Sequence, residues 1–150
     1  DTAILWEARV HVVLPEQHPL ANGERVDWAG LREEHFIVSR DATGPEIHDY
    51  VVRRLADLGR SPSVERYGVC RETLMHLVAL GFGISLVSEA AISTHYPDIV
   101  FRPLATSEDV LAYSAVWLPG NDNPALRRFL SLARSLSAMP PTPRSQECAS

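Results

Sequence analysis

The chain has 150 residues, 45% hydrophobic and 22% charged, which suits one globular domain with room for a smaller second lobe. Its net charge is −5 and all 14 basic residues are arginines spread along the chain, which argues against a phosphate-gripping nucleic-acid surface. The longest apolar run, VALGFGISLV, is broken by glycines and falls short of the ~20 residues a membrane helix needs, and no export signal is visible.

In chain order, residues 4–14 (ILWEARVHVVL) read as a strand whose apolar residues gather at its end. His18-Pro19 follows in HVVLPEQHPLA, and the proline biases His18 toward extended backbone at the start of a short turn. This histidine reads as punctuation where the chain enters a new subdomain, not as chemistry. Residues 26–31 (VDWAGL) predict one helical turn capped by Asp27, and HFIVS at 35–39 predicts a buried strand.

The next helix carries the most signals. Thr43-Gly44-Pro45-Glu46 matches a capping box with proline in the first turn, and Ile47, Val51, Leu55 and Leu58 fall on one face. Arg53 and Arg54 suit the negative end of the helix dipole, and Gly59 closes it. SVERY at 63–67 reads as a strand, RETLMHLVAL at 71–80 as a helix ended by Gly81, and ISLVS as a strand after a turn at Gly83. Ser88 is placed to cap a short helix through His95, and IVFRPL at 99–104 supplies another strand. This β-α-β-α-β alternation predicts a largely parallel sheet flanked by helices with right-handed crossovers. A long strand at 111–119 (LAYSAVWLP) and a helix started by Asn123-Pro124 follow. The helix carries an apolar stripe of Leu126, Phe129, Leu130, Ala133 and Leu136. The proline-rich tail 140–150 reads as disordered. Cys148 lies in it, so no disulfide with Cys70 is expected and a reducing, cytoplasmic compartment is the simpler reading.

Motifs for chemistry are missing from the chain. The histidines at 11, 18, 35, 48, 76 and 95 form no HExxH or His-x-His pair, and no cysteine stands at zinc-ligand spacing. GFG at 81–83 lacks the third glycine of a dinucleotide loop, and no GxSxG or P-loop is present. The expectation is a protein without metal, cofactor or catalytic activity.

The blocks VVLPEQHPLA, FIVS, ETLMHLVALGFGISLVSEA and IVFRPL, in that order, resemble the effector-binding domain of LysR-type transcriptional regulators over residues 5–138. The most specific block is LMHLVALGFGISLVSEA. The resemblance implies a type II periplasmic-binding-protein-like α/β sandwich with two crossing strands and a small anionic or aromatic effector in an interlobe cleft. It implies a crossing strand at 1–15, the second subdomain at 16–109, and a return strand and helix of the first subdomain at 110–139. DNA would be bound only through an N-terminal helix-turn-helix domain that this chain lacks, and no membrane is implicated. The apolar stripe of the last helix would pack on the rest of the first subdomain, so self-association into a dimer or higher oligomer is expected. Two readings of the same scaffold stay open: a fragment of a periplasmic solute-binding protein, and an enzyme.

Open α/β sheets bind ligands at the carboxyl ends of their strands, beside helix N-termini. Two junctions satisfy that rule. The first is Ser39, Arg40, Asp41 and Thr43 after FIVS, where Arg40 can clasp a carboxylate, unless Thr43 only caps the helix and Arg40 is solvated. The second is Val69, Arg71 and Glu72 after SVERY, where Arg71 is the favoured carboxylate ligand with Glu72 as its partner in the empty state. The competing reading of that pair is a surface ion pair of little energetic consequence. Cys70 reads as a small, partly buried residue rather than a redox sensor.

Overall fold

A computed structural model describes residues 1–41 and 44–138. Two compact units divide the chain: Ala8–Leu111, and Asp1–Glu7 together with the chain from Ala112 onward. The capping box at Thr43 and the tail with Cys148 lie outside the described residues.

The larger unit is an α/β sandwich. Strand β1 (Thr2–Pro15) pairs antiparallel with β4 (Ser85–Ser88) on one side and β5 (Ile99–Pro103) on the other. Strands β2 (His35–Ser39) and β3 (Ser63–Tyr67) pair in parallel, and a parallel bridge from Phe36 to Ile84 ties β2 to the start of β4. Strands β4 and β5 both oppose β1, so β2 to β5 share one direction and β1 runs against them. The sheet is therefore mixed.

Alternation along the strands sorts the core onto two faces. Val10, Val12 and Leu14 of β1, with Phe36 and Val38 of β2, pack beside Ile47, Val51 and Leu55 of helix α1 (Gly44–Asp57). Val13 and Ile37, one residue out of step, pack beside Leu74, Met75 and Val78 of helix α2 (Arg71–Ala79). Leu58 was expected on the buried face of α1; it lies past the helix end and is 40% exposed. There Gly59 takes φ 71°, its N–H bonds Ala56 O, and Arg60 N–H bonds Leu55 O, a left-handed stop that satisfies the last carbonyls.

The turn segments deviate from expectation in instructive ways. Residues Trp28–Leu31 form a 3-10 turn, but the Asp27 side chain makes no capping bond; its carbonyl accepts from Gly30 N–H instead, at 3.0 Å. The segment after Ser88 is a 3-10 turn over Glu89–Ser93, shorter than the expected helix, and the Ser88 side chain does not cap it. His18 is extended, with φ −64° and ψ 140°, and its Nδ1 accepts from Leu20 N–H at 3.2 Å, capping the turn Pro19–Asn22. Its Nε2 faces Glu34 at 3.3 Å. Because Nδ1 accepts, the neutral ring carries its proton on Nε2, where Glu34 receives it.

The smaller unit joins the beginning of β1 to β6 (Val110–Val116) and α3 (Pro124–Ser137). Asn123 caps α3 by accepting from Ala125 N–H at 2.9 Å, with proline in the first turn as the sequence implies. Leu130 and Ala133 bury against Leu5, while Phe129, Leu132 and Leu136 stay 53–68% exposed. Trp6 stacks on Tyr113 with ring centroids 5.7 Å apart.

Candidate ligand pocket

Parallel strands leave their carboxyl ends on one edge of the larger unit. There the end of β2, the first turns of α1 and α2, and residues 85–87 of β4 border a half-open pocket of about 60 Å³. That is room for several waters or a ligand fragment. Its wall is apolar, formed by Val38, Ile47, Leu74, Met75, Leu86 and Val87. Its polar lining is Ser39, Asp41, Arg71 and Ser85.

Both junctions singled out in the sequence contribute to this cavity. Asp41 and Arg71 line it with exposed side chains, one from each junction. Ser39 lines it too, but its hydroxyl is already engaged. It donates to Val69 O at 2.8 Å and accepts from Asp41 N–H at 3.0 Å, so it ties the ends of β2 and β3 together. Val69 lies outside the lining: its carbonyl is taken by Ser39, and its side chain packs against the α2 face of the core. Arg40 is exposed and outside the lining; its N–H bonds Tyr67 O at 2.8 Å, continuing the β2–β3 ladder. Glu72 also lies outside the lining. Its own backbone N–H holds its carboxyl below the usual range, helped by the Cys70 side chain and the Arg71 charge. Thr43 falls outside the described residues.

Ser85 is the residue that sequence reasoning missed. It is 1% exposed, and its hydroxyl has no hydrogen-bond partner among the described residues. A buried hydroxyl left unpaired costs about 1–3 kcal/mol, and a ligand group is one way to recover it. The available signal was a serine amid the apolar run ISLV, at a position where the strand pattern calls for an apolar residue. Helix α2 turns its positive end toward the pocket: its N-cap, Cys70, makes no side-chain capping bond, while the Glu72 N–H is taken by the Glu72 carboxyl. Cys70 is exposed, with Sγ 3.4 Å from Thr73 Oγ1.

A second polar cluster lies in the interior of the same unit. Asp109, 1% exposed, accepts from Trp28 Nε1 at 3.1 Å, Thr106 Oγ1 at 2.7 Å and the Tyr50 hydroxyl, and Arg54 stands 3.0 Å away. Burial alone would raise the Asp109 pKa, but the bonds from Thr106, Tyr50 and Trp28 and the Arg54 charge together hold it below the usual carboxylate range. Burial and the Asp109 carboxylate push the Tyr50 hydroxyl pKa upward. Arg54, expected to act on the helix dipole, instead answers this buried acid and lies 5.5 Å over the Trp28 ring. Trp28, Tyr50, Thr106 and the Arg54 Nη2 all converge on Asp109, which marks the cluster as structural; the Arg54 Nε is buried without a partner among the described residues. Among the described residues no group of three or more His, Cys, Asp or Glu side chains could hold a metal, and no helix is long and apolar enough to cross a membrane.

An α/β lobe with an apolar pocket at the carboxyl ends of its parallel strands has the architecture of a small-molecule sensor or carrier. The family described as LysR substrate binding domain matches residues 1–138, and the chain belongs to that family. It is 30% identical to the HTH-type transcriptional regulator TtuA of Agrobacterium vitis over 125 residues, covering 81% of this chain and 41% of TtuA. It is 31% identical to the HTH-type transcriptional regulator CatR of Pseudomonas putida over 129 residues, covering 86% of this chain and 44% of CatR. The chain thus spans less than half the length of these relatives. Among solved structures, the BenM effector binding domain with its effector benzoate superposes with TM-score 0.79 at 19% identity, covering 94% of this chain and 67% of that one. Full-length CbnR complexed with its target DNA gives TM-score 0.79 at 17% identity, over 93% of this chain and 49% of that one. These two likenesses establish the fold. The relatives are transcriptional regulators, not enzymes, and they lend no support to the transport reading.

Proposed function

We propose that this chain is the ligand-sensing portion of a LysR-type transcriptional regulator, with its effector seated in the pocket lined by Asp41, Arg71 and Ser85. The observation that carries the reading is one apolar-walled pocket whose lining joins an exposed arginine at a helix N-terminus to Asp41 and to Ser85, a buried serine with an unpartnered hydroxyl. Arg71 takes the effector carboxylate in a two-bonded clasp, the positive end of the α2 dipole adds to it, and the aliphatic wall takes the apolar body. The family membership and the benzoate bound by BenM support an effector of that general kind.

In the longer regulator, DNA is contacted through a helix-turn-helix domain, as in the relatives named above, and the protein works in the cytoplasm. Effector binding regulates by favouring one arrangement of the assembled protein over another, which requires a difference in affinity between the two. Self-association follows from the exposed side chains of Phe129, Leu132 and Leu136 on α3.

The test is amide chemical-shift mapping of the chain against a panel of small carboxylates that includes benzoate. A ligand of this pocket shifts the amides of Asp41, Arg71 and Ser85, and Arg71→Ala weakens it about tenfold to a hundredfold, the range of one or two lost charge-assisted bonds. A panel that shifts none of these amides, or equal binding to Arg71→Ala, sinks the reading.

A further inference from the structure

Asp41 and Arg71 face the same cavity, yet among the described residues neither forms an ion pair within 4.0 Å with the other or with any third group. Two opposite charges that share a cavity without neutralising each other offer complementary ends to one ligand. A purely anionic effector would satisfy Arg71 and leave its negative field acting against the Asp41 carboxylate. A purely cationic one would have the converse fault. A ligand bearing both charges close together meets neither penalty.

The remaining features narrow the class. The positive end of the α2 dipole strengthens the carboxylate end, next to Arg71. Ser85, 1% exposed and with an unpartnered hydroxyl, belongs to the lining and places a polar group behind the apolar wall. The wall of Ile47, Leu74 and Met75 offers a small apolar surface, which suits a short aliphatic group. We propose that the pocket is built for a small α-amino acid with a short apolar side chain, its carboxylate at Arg71 and its ammonium at Asp41. This inference rests on the effector reading above and sharpens it.

Three matched probes separate the contributions: leucine, 4-methylpentanoate, which lacks the amino group, and 3-methylbutylamine, which lacks the carboxylate. Each is titrated into the 150-residue chain and followed by amide chemical shifts at Asp41, Arg71 and Ser85. Leucine is expected to bind at least tenfold tighter than either analogue. In Asp41→Asn the advantage of leucine over 4-methylpentanoate disappears while the acid itself still binds. If the acid binds wild-type protein as tightly as leucine does, the amino-acid assignment is overturned and the effector pocket stands. If none of the three probes shifts the pocket amides, the amino-acid assignment is overturned, and the carboxylate panel decides the pocket itself. Both Asp41 and Arg71 are exposed, so their replacement leaves the fold intact, and a melting temperature measured alongside verifies it.

Discussion

Arg54 on α1 reaches 3.0 Å from the carboxylate of Asp109, which comes from the last loop of the larger unit and is 1% exposed. The pair closes the unit by joining its first long helix to the segment that leads into β6. Trp28, Tyr50 and Thr106 complete the cage, with Trp28, Tyr50 and Arg54 on Oδ1 and Thr106 on Oδ2. Asp109→Ala strips a partner from each of these donors and is expected to cost about 3–5 kcal/mol, read as a lower denaturation midpoint in urea. The pH dependence has a definite sign. The folded carboxyl titrates below its unfolded value, so its contribution is complete above roughly pH 4 and fades as pH falls through the folded pKa. Urea midpoints measured across that acid range should fall more steeply for wild type than for Asp109→Ala.

His11 presents the opposite case, a base held neutral. Its place in β1 lies between Val87 of β4 and Pro103 of β5, and its Nδ1 is buried without a partner among the described residues. Burial lowers its pKa, against smaller upward pulls from a backbone bond at Arg9 and the charge of Glu89. The unfolded chain therefore binds the proton more readily, so stability is full above roughly pH 6.5 and declines below it. His11→Val keeps the strand preference and removes the titration. Stability curves at pH 7.5 and 5.5 should lie closer together for the variant than for wild type; equal spacing would exclude this role for His11.

Gly83 marks where the chain between α2 and β4 passes against β2. A Cβ there would stand 2.8 Å from the His35 carbonyl oxygen and 2.9 Å from Ile37 Cγ2. The first contact is with backbone, which cannot rotate away. Gly83→Ala is expected to destabilise by about 1–3 kcal/mol, the usual penalty of overpacking, and thermal unfolding measures it. At Gly81 the space is open but φ is 85°, so the cost of Gly81→Ala is conformational, about 1–2 kcal/mol.

Helix α3 should govern self-association. Phe129, Leu132 and Leu136 are each more than half exposed, and Val116 and Leu118 of the same unit are 77% and 78% exposed. Light scattering across a wide concentration range is expected to find dimers or larger species. Leu132→Glu with Leu136→Glu should shift them toward monomer without loss of helix content. A wild-type chain that stays monomeric and monodisperse throughout would refute the expectation.

Much of the fold was legible because its signals are local. The spacing of Ile47, Val51 and Leu55 marks one helical face, and Gly59 and Asn123 end and begin helices through bonds to their neighbours. Part of the pocket was legible for the same reason: Asp41 and Arg71 follow strands directly, and strand ends next to helix starts are where such folds open. Leu58 shows the limit, since periodicity cannot say where a helix stops against its own core.

Chain order alone determined the α/β class, the stop at Gly59, the start at Asn123 and the edge on which the pocket lies, because propensity, capping and periodicity act over a few residues. Tertiary structure decided which strands pair and in what direction, and with that the environments of Ser85 and Asp109. In sequence, Ser85 is one polar residue in an apolar run and Asp109 an ordinary loop acid. Only the packing of α2 on the sheet buries the first, and only the closing of the larger unit surrounds the second with Trp28, Tyr50, Thr106 and Arg54. Burial and pairing are properties of distant segments brought together, and no local pattern encodes them.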